Sequence, residues 1–293
     1  MTIITRLQAN RWLRLMRLDR PIGTYLLLWP TYWGLWFAAQ GIPSISNLII
    51  FTLGVIVMRA AGCVINDYAD RKVDGSVRRT AHRPLPQGEI TAQQALTLFF
   101  ALLIVALGLV LMLNKMTLLL SIGGLLLAAS YPFLKRFTHV PQLGLGAAWA
   151  WAIPMAFAAE RQTLPPALWL LFSAVILWTI AFDTYYAMVD REDDVKVGIK
   201  STAILFGRYD LAIIVGLQIA TLVLLSLVGM AFDRGLYYAL GIIAAAISFL
   251  RQYLQARDRT EEGCFNAFLN NHRVGMMIFV GLAVDYQMTT TLL

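Results

Sequence analysis

Asn66, Asp67, Asp70 and Asp74 lie in the stretch NDYADRKVD, and Asp183, Tyr186, Asp190, Asp193 and Asp194 lie in DTYYAMVDREDD. Positions 66, 70 and 74 are spaced i, i+4, i+8; positions 183, 186, 190 and 194 are spaced 3, 4 and 4. On a continuous helix each set falls on one face. Like charges at such spacing destabilise a helix by roughly 0.2–0.5 kcal/mol per pair, and an apolar boundary raises that cost. A bound cation offsets both. The donors are oxygens, without clustered His or Cys, which suits a hard ion. Mg2+ in particular keeps several waters and completes its shell with phosphate oxygens. The spacing does not match an EF-hand loop.

Bases accompany both acidic sets. Arg71, Lys72, Arg78, Arg79 and Arg83 follow the first, and Lys196 and Lys200 follow the second; Lys135 and Arg136 form a further pair between them. A diphosphate chelated by Mg2+ retains negative charge that Arg and Lys can neutralise. Lys72, Arg78 and Lys196 read as ordinary loop bases. Arg59 stands apart, about two turns before Asn66 on the same face and inside an apolar run, where ionisable side chains usually face a cavity.

The elements that must position these groups are membrane helices. Of 293 residues 59% are hydrophobic and 14% charged, too apolar for an ordinary soluble domain. Nine apolar stretches, near 22–40, 46–66, 93–113, 116–132, 141–158, 166–185, 211–231, 235–254 and 272–290, each approach the ~20 residues that cross a bilayer. None alternates like a barrel strand, so the expected class is all-α, a polytopic membrane protein with one domain over 1–293. Residues 1–20 carry Arg6, Arg11, Arg14, Arg17 and Arg20 and are expected to lie at the interface, with bases toward lipid headgroups.

Twenty of the 24 Lys and Arg fall on one side of this arrangement; Lys115, Arg161 and Arg234 fall on the other, and Arg59 lies within the second span. The positive-inside rule therefore places the N-terminus and the long loops in the cytoplasm and, for nine spans, the C-terminus outside. The net charge of +7 is accounted for by loops facing anionic lipid, with no nucleic-acid partner. Cys63 and Cys264 form no metal or disulfide pattern, and His82, His139 and His272 are scattered. Spans two and six run in the same direction and end in the two acidic sets. This suggests two four-helix units plus one helix, each unit giving one acidic helix end.

NDYADRKVD matches the NDxxDxxxD motif, and DTYYAMVDREDD the DxxYxxxDxxDD motif, of the UbiA superfamily of intramembrane prenyltransferases. RPIGTYLLLWPTYWGLW, RTAHRPLPQG, YPFLKR and GIKSTAILFG resemble the branch that prenylates 4-hydroxybenzoate in ubiquinone synthesis, so the resemblance runs along the whole chain. It implies a UbiA-type bundle in the bacterial inner membrane, with a periplasmic C-terminus. It also implies Mg2+-dependent transfer of a polyprenyl group from its diphosphate to the ring carbon ortho to the acceptor hydroxyl. By that resemblance Asn66, Asp70 and Asp74 hold one Mg2+ and Asp190 and Asp194 a second, with Asp67 and Asp183 in support. Catalysis would fall to Asp70, Asp74, Asp190, Asp194 and Arg136. Substrates would meet Arg59, Arg71, Arg79, Arg83, Lys135, Arg136, Tyr186 and Lys200. Arg136 is expected to clamp the benzoate carboxylate; Lys135 and Arg71 are expected on the diphosphate.

Two rival readings remain at this stage. An ion-coupled transporter would carry its acids near the bilayer midplane on broken helices, whereas these sets sit at one face beside long basic loops. A UbiA-type enzyme with another acceptor would share both metal motifs.

Overall fold

The computed structural model describes residues 10–76 and 78–291. Arg6 and the rest of residues 1–9 lie outside the described residues, as do Leu292 and Leu293 at the C-terminus whose side of the membrane was expected above. The chain is all-helical throughout the described residues. A short helix α1 (Arg11–Leu15) opens it, capped by Asn10, whose carboxamide oxygen accepts from Trp12 N at 2.9 Å. There follow α2 (Ile22–Ala39), α3 (Ile45–Asp70), α4 (Ala92–Val110), α5 (Lys115–Leu134), α6 (Pro141–Ala150), α7 (Ala152–Arg161), α8 (Leu168–Val197), α9 (Thr202–Phe206), α10 (Asp210–Ala231), α11 (Leu236–Ala256), α12 (Glu261–Leu269) and α13 (Asn271–Thr291).

Eight segments are long and apolar enough to cross a membrane: α3, α4, α5, α6 with α7, α8, α9 with α10, α11, and α12 with α13. The remaining expected span is α2, 18 residues long. Its Trp and Tyr side chains score poorly as hydrocarbon yet suit a membrane helix buried among others. Only the expected span 141–158 consists of two helices in succession; the segments holding 211–231 and 272–290 begin earlier, each with an added short helix, α9 or α12. The break at Trp151 was not expected, because the apolar pattern continues across it, and α12 was not expected because residues 261–271 are too polar to extend the last span.

Spans two to five (α3 to α7) and six to nine (α8 to α13) each form a run of neighbours. The first span does not stand outside them: α2 packs on α3, α7 and α13 and joins the two runs. The centre of this junction is aromatic. Trp33 of α2 stacks on Trp178 of α8 with ring centroids 5.3 Å apart, and Trp178 Nε1 donates to Asn271 Oδ1 of α13 at 2.9 Å. Burying such rings gains both area and ring–ring attraction, and the hydrogen bond satisfies an indole N–H that lipid could not. Gly241 of α11 and Gly281 of α13 face each other; a Cβ on Gly281 would lie 2.7 Å from the Tyr237 carbonyl. Small residues thus let these two backbones approach closely.

On the other side of the molecule α4 packs along α3, while α5 packs along α6 and α7, so α4 and α5 make little contact with each other. Their apolar windows are only 17% and 11% buried, against 61% for α8. The gap between them opens toward the lipid.

Candidate active site

A single cavity of about 1310 Å3 runs from both acidic motifs to Leu113 and Met155, near the opposite end of the bundle. Asn66, Asp67, Asp70, Asp74, Asp183, Tyr186, Asp190 and Asp194 all line it, with Arg59, Arg79, Arg83, Lys135 and Lys200. Below this charged end the walls are apolar. Leu107 of α4 and Leu119 and Ile122 of α5 line the cavity and are themselves more than half exposed. Both sparsely contacting helices, α4 and α5, thus wall the cavity on its lipid-facing side.

The second motif is built as its spacing requires. Asp183, Tyr186, Asp190 and Asp194 lie on the uninterrupted α8, which runs 12 residues beyond the expected end of its span, to Val197. The first motif is not. α3 ends at Asp70, and Asp74 sits on a separate 3-10 turn, Asp74–Ser76. One continuous helical face therefore does not join 66, 70 and 74. The Asp-Gly pair at 74–75 favours a turn, and Thr80 Oγ1 fixes the new chain direction by donating to the Asp74 carbonyl at 2.7 Å.

What brings Asp74 back to the helix end is a chain of ion pairs. Arg83 Nη1 lies 3.0 Å from Asp67 Oδ1 and 2.9 Å from Asp74 Oδ2. Arg17 Nη2 lies 2.9 Å from both oxygens of Asp67. Asp67, 1% exposed, is thus held between two guanidiniums; either alone would neutralise it, and removing both would strand a buried charge. Arg17 was expected only as an interfacial anchor. Instead it adopts a left-handed backbone, φ 56°, and lines the cavity. Arg14 pairs with Glu89 and Arg11 donates to the Glu89 carbonyl at 2.9 Å, so the N-terminal segment is bonded to the 71–91 loop rather than left to headgroups.

The remaining acids have their own partners. Lys135 at the end of α5 pairs with Asp70. Arg79 Nε donates to Asp190 Oδ1 at 2.8 Å, and its guanidinium lies 4.4 Å from the centroid of the Tyr186 ring. Arg78 bridges Asp193 at 3.4 Å and Glu261 at 3.2 Å, a surface strap. Asp194 makes no ion pair, and Asn66 no side-chain hydrogen bond, among the described residues. Burial pushes the Asp74 carboxyl above the usual carboxylate range, against the pull of Arg83. Partial burial and then Arg20, Arg83, Arg17 and Arg79 push the His82 imidazole below its ordinary value.

Two expected substrate contacts are not on the cavity wall. Arg71 donates to the Tyr68 carbonyl at 2.6 Å and stacks 4.1 Å from that ring's centroid. Arg136 donates to the Ala69 carbonyl, one of the last open carbonyls of α3, and lies 5.8 Å from the Phe133 ring centroid. Successive residues at a helix end point about 100° apart, so with Lys135 turned inward Arg136 is carried outside. In this structure Arg136 caps α3 and holds the motif backbone rather than lining the cavity. Arg59 takes the opposite course. Its guanidinium lines the cavity, donates only to Cys63 Sγ one turn on, leaves Nε without a partner, and makes no ion pair among the described residues.

Among the described residues no three His, Cys, Asp or Glu side chains converge closely enough to cage a metal by themselves. The donor set nevertheless fits a hard divalent ion that shares its shell with substrate. It is oxygen-rich, it includes the unbonded Asn66 and the unpaired Asp194, and bases flank it that can exchange a carboxylate for a phosphate.

A bundle of membrane helices around a largely apolar cavity, with acids and bases gathered at one end, has the outline of an intramembrane enzyme. Comparison with known proteins agrees. Residues 27–278 match the UbiA prenyltransferase family, and the chain belongs to that family. It is 59% identical over 273 residues to the 4-hydroxybenzoate octaprenyltransferase of Marinobacter nauticus, covering 93% of each chain. To the enzyme of that name from Ectopseudomonas mendocina it is 56% identical over 284 residues, covering 96% of each. Among solved structures, the apo UbiA homolog from Aeropyrum pernix K1 superimposes with a TM-score of 0.80 at 26% identity, over 89% of this chain and 97% of that one. A UbiA homolog from Archaeoglobus fulgidus, bound to GPP and Mg2+, shares the fold with a TM-score of 0.71 at 20% identity, over 94% and 99%.

Proposed function

We propose that this prenyltransferase moves a long-chain polyprenyl group, octaprenyl by analogy with its relatives, from polyprenyl diphosphate to the carbon ortho to the hydroxyl of 4-hydroxybenzoate, a step of ubiquinone synthesis. The observation that carries the reading is one cavity that runs from the charged mouth between apolar walls, with α4 and α5 on its lipid-facing side. A diphosphate and a hydrocarbon tail tens of ångströms long can occupy it together without exposing the tail to water.

Asn66, Asp70 and Asp74 would hold one Mg2+, and Asp190 and Asp194 a second, with Asp67 and Asp183 shaping the surroundings. Bound there, Mg2+ supplies positive charge where diphosphate becomes a leaving group. Lys135, Arg79 and Arg83, now on carboxylates, turn to phosphate oxygens and spread the departing charge further. The allylic C–O bond breaks, its electron pair leaving with diphosphate. The π electrons of the ring form the new C–C bond, and loss of the ring proton restores aromaticity. Aliphatic and aromatic walls keep water from the allylic cation.

Arg59 is the carboxylate clamp in this reading. Like Lys200, it lines the cavity without an ion pair among the described residues, so binding an acid there breaks no existing salt bridge. Seven residues of helix separate it from Asn66, about 10 Å along the axis, which leaves room for one aromatic ring between guanidinium and metal ligands. A hydroxyl-bearing end then faces the reacting carbon and a carboxylate end faces Arg59.

The test is direct. Purified protein given 4-hydroxybenzoate and octaprenyl diphosphate should release diphosphate and yield the ring-prenylated acid, identified by mass, only with Mg2+ present. Product from a carboxylate-free phenol at equal kcat/KM would sink the acceptor assignment. The charge asymmetry of the loops further supports a cytoplasmic motif end and a periplasmic C-terminus in the bacterial cell. Reporter fusions within 75–88 should read cytoplasmic, and fusions at Lys115 and after Leu293 periplasmic; a cytoplasmic reading after Leu293 would overturn that orientation.

A further inference from the structure

We infer that Gly23 sets the acceptor specificity of the enzyme by leaving the space in which the Arg59 guanidinium is seated. This rests on Arg59 being the acceptor's carboxylate clamp. Gly23 is buried in the first turn of α2, and its backbone is not among the positive-φ glycines. Glycine is therefore not required there by conformation, and it weakens a helix relative to alanine. What requires it is close approach. A Cβ at position 23 would stand closer than 3.0 Å to Arg59 Nε, Cζ and Nη2, and these are its three nearest neighbours. Gly54 and Gly62, which line the same cavity from α3, show no such contact: a Cβ on either meets nothing within 4 Å.

The neighbour that would have to move is the end of a flexible side chain, not backbone. A methyl group at 23 thus displaces the guanidinium and spares the fold. Arg59 has little else to hold it, since its one hydrogen bond goes to Cys63 Sγ and its Nε has no partner. The bare α2 backbone and Cys63 therefore fix the plane in which the fork presents itself to a carboxylate. A bidentate guanidinium–carboxylate pair depends on that plane. Gly23 lines the cavity beside Arg59 and acts through it, as a positioning residue.

The experiment is a double-mutant cycle on the full-length enzyme in detergent, reading both Michaelis constants and calorimetric binding of 4-hydroxybenzoate. Gly23→Ala should raise the acceptor KM and Kd roughly tenfold, the loss of one charge-assisted hydrogen bond, with donor KM and thermal midpoint unchanged. In an Arg59→Ala background Gly23→Ala should add nothing, because the clashing group is gone. Gly23→Ser repeats the test should the alanine variant accumulate poorly. An acceptor KM unmoved by either Gly23 variant, or an effect of full size in the Arg59→Ala background, overturns the role of Gly23 and leaves the clamp standing. If Arg59→Ala itself leaves acceptor binding unchanged, the clamp fails and the inference falls with it.

Discussion

Replacing Asp70 or Asp190 with Ala will lower the rate of prenyl transfer by about 10³-fold or more, while the protein still inserts and accumulates. The scale follows from the chemistry asked of the site. A metal that neutralises a leaving diphosphate contributes several kcal/mol at the transition state, and each 1.36 kcal/mol is a factor of about ten. The two residues stand on different helices, Asp70 at the end of α3 and Asp190 on α8, so equal severity at both would show that both motifs act on one diphosphate. Folding should survive because neither acid is a lone buried charge whose loss strands a partner in lipid. Lys135 and Arg79 retain 21% and 31% side-chain exposure at the cavity mouth and can rehydrate. Asp70→Asn keeps the shape and one oxygen but loses the charge, and should recover little. The measurement is initial rate at saturating donor and acceptor across a Mg2+ titration, alongside membrane yield. Wild-type rates in EDTA, or a loss in the Asp variants matched by a loss of membrane-inserted protein, would defeat the metal reading.

How much of this was readable beforehand depends on the kind of constraint. Residues one helix presents on one face were legible, and so Asp183, Tyr186, Asp190 and Asp194 meet the cavity where α8's periodicity puts them. Hydrocarbon runs located the membrane helices, because a backbone in lipid must satisfy itself and only helices do so locally. The break of α3 after Asp70 was not legible. No proline marks it, and its cause is a fold-back fixed by Thr80 and by Arg83, 13 residues further on. Arg17 was missed for a related reason. An arginine beside Trp and Leu near the start of a membrane chain has the composition of a headgroup anchor, and only tertiary structure shows it 2.9 Å from Asp67, 50 residues away. Lys135 and Arg136 illustrate a third limit. Both have the right charge at the right helix end, yet a rotation of about 100° separates a cavity contact from a helix cap, and the apolar pattern did not fix the phase of α5 at its last turn.

That last distinction is testable through the acceptor. Arg59→Ala should raise the KM for 4-hydroxybenzoate by roughly 10- to 150-fold, since hydrogen bonds to charged groups are worth about 1.5–3 kcal/mol. kcat at saturating acceptor should change little, because the carboxylate is remote from the reacting carbon and its clamp forms equally in ground and transition states. Arg59→Lys should recover only part of the affinity: the charge remains, but the planar fork is lost and an ammonium at this depth is harder to desolvate. Arg136→Ala should leave the acceptor KM within about twofold and act instead on stability, since the Ala69 carbonyl it caps is replaceable by water at the loop-facing end of α3. The two arginines are therefore separated by one pair of measurements. A rise in acceptor KM for Arg136→Ala with none for Arg59→Ala would return the clamp to the end of α5. A rise in donor KM for Arg59→Ala would place its guanidinium on the diphosphate, which the geometry disfavours: Lys135, Arg79 and Arg83 already stand among the carboxylates at the mouth, and Arg59 lies two turns deeper along α3.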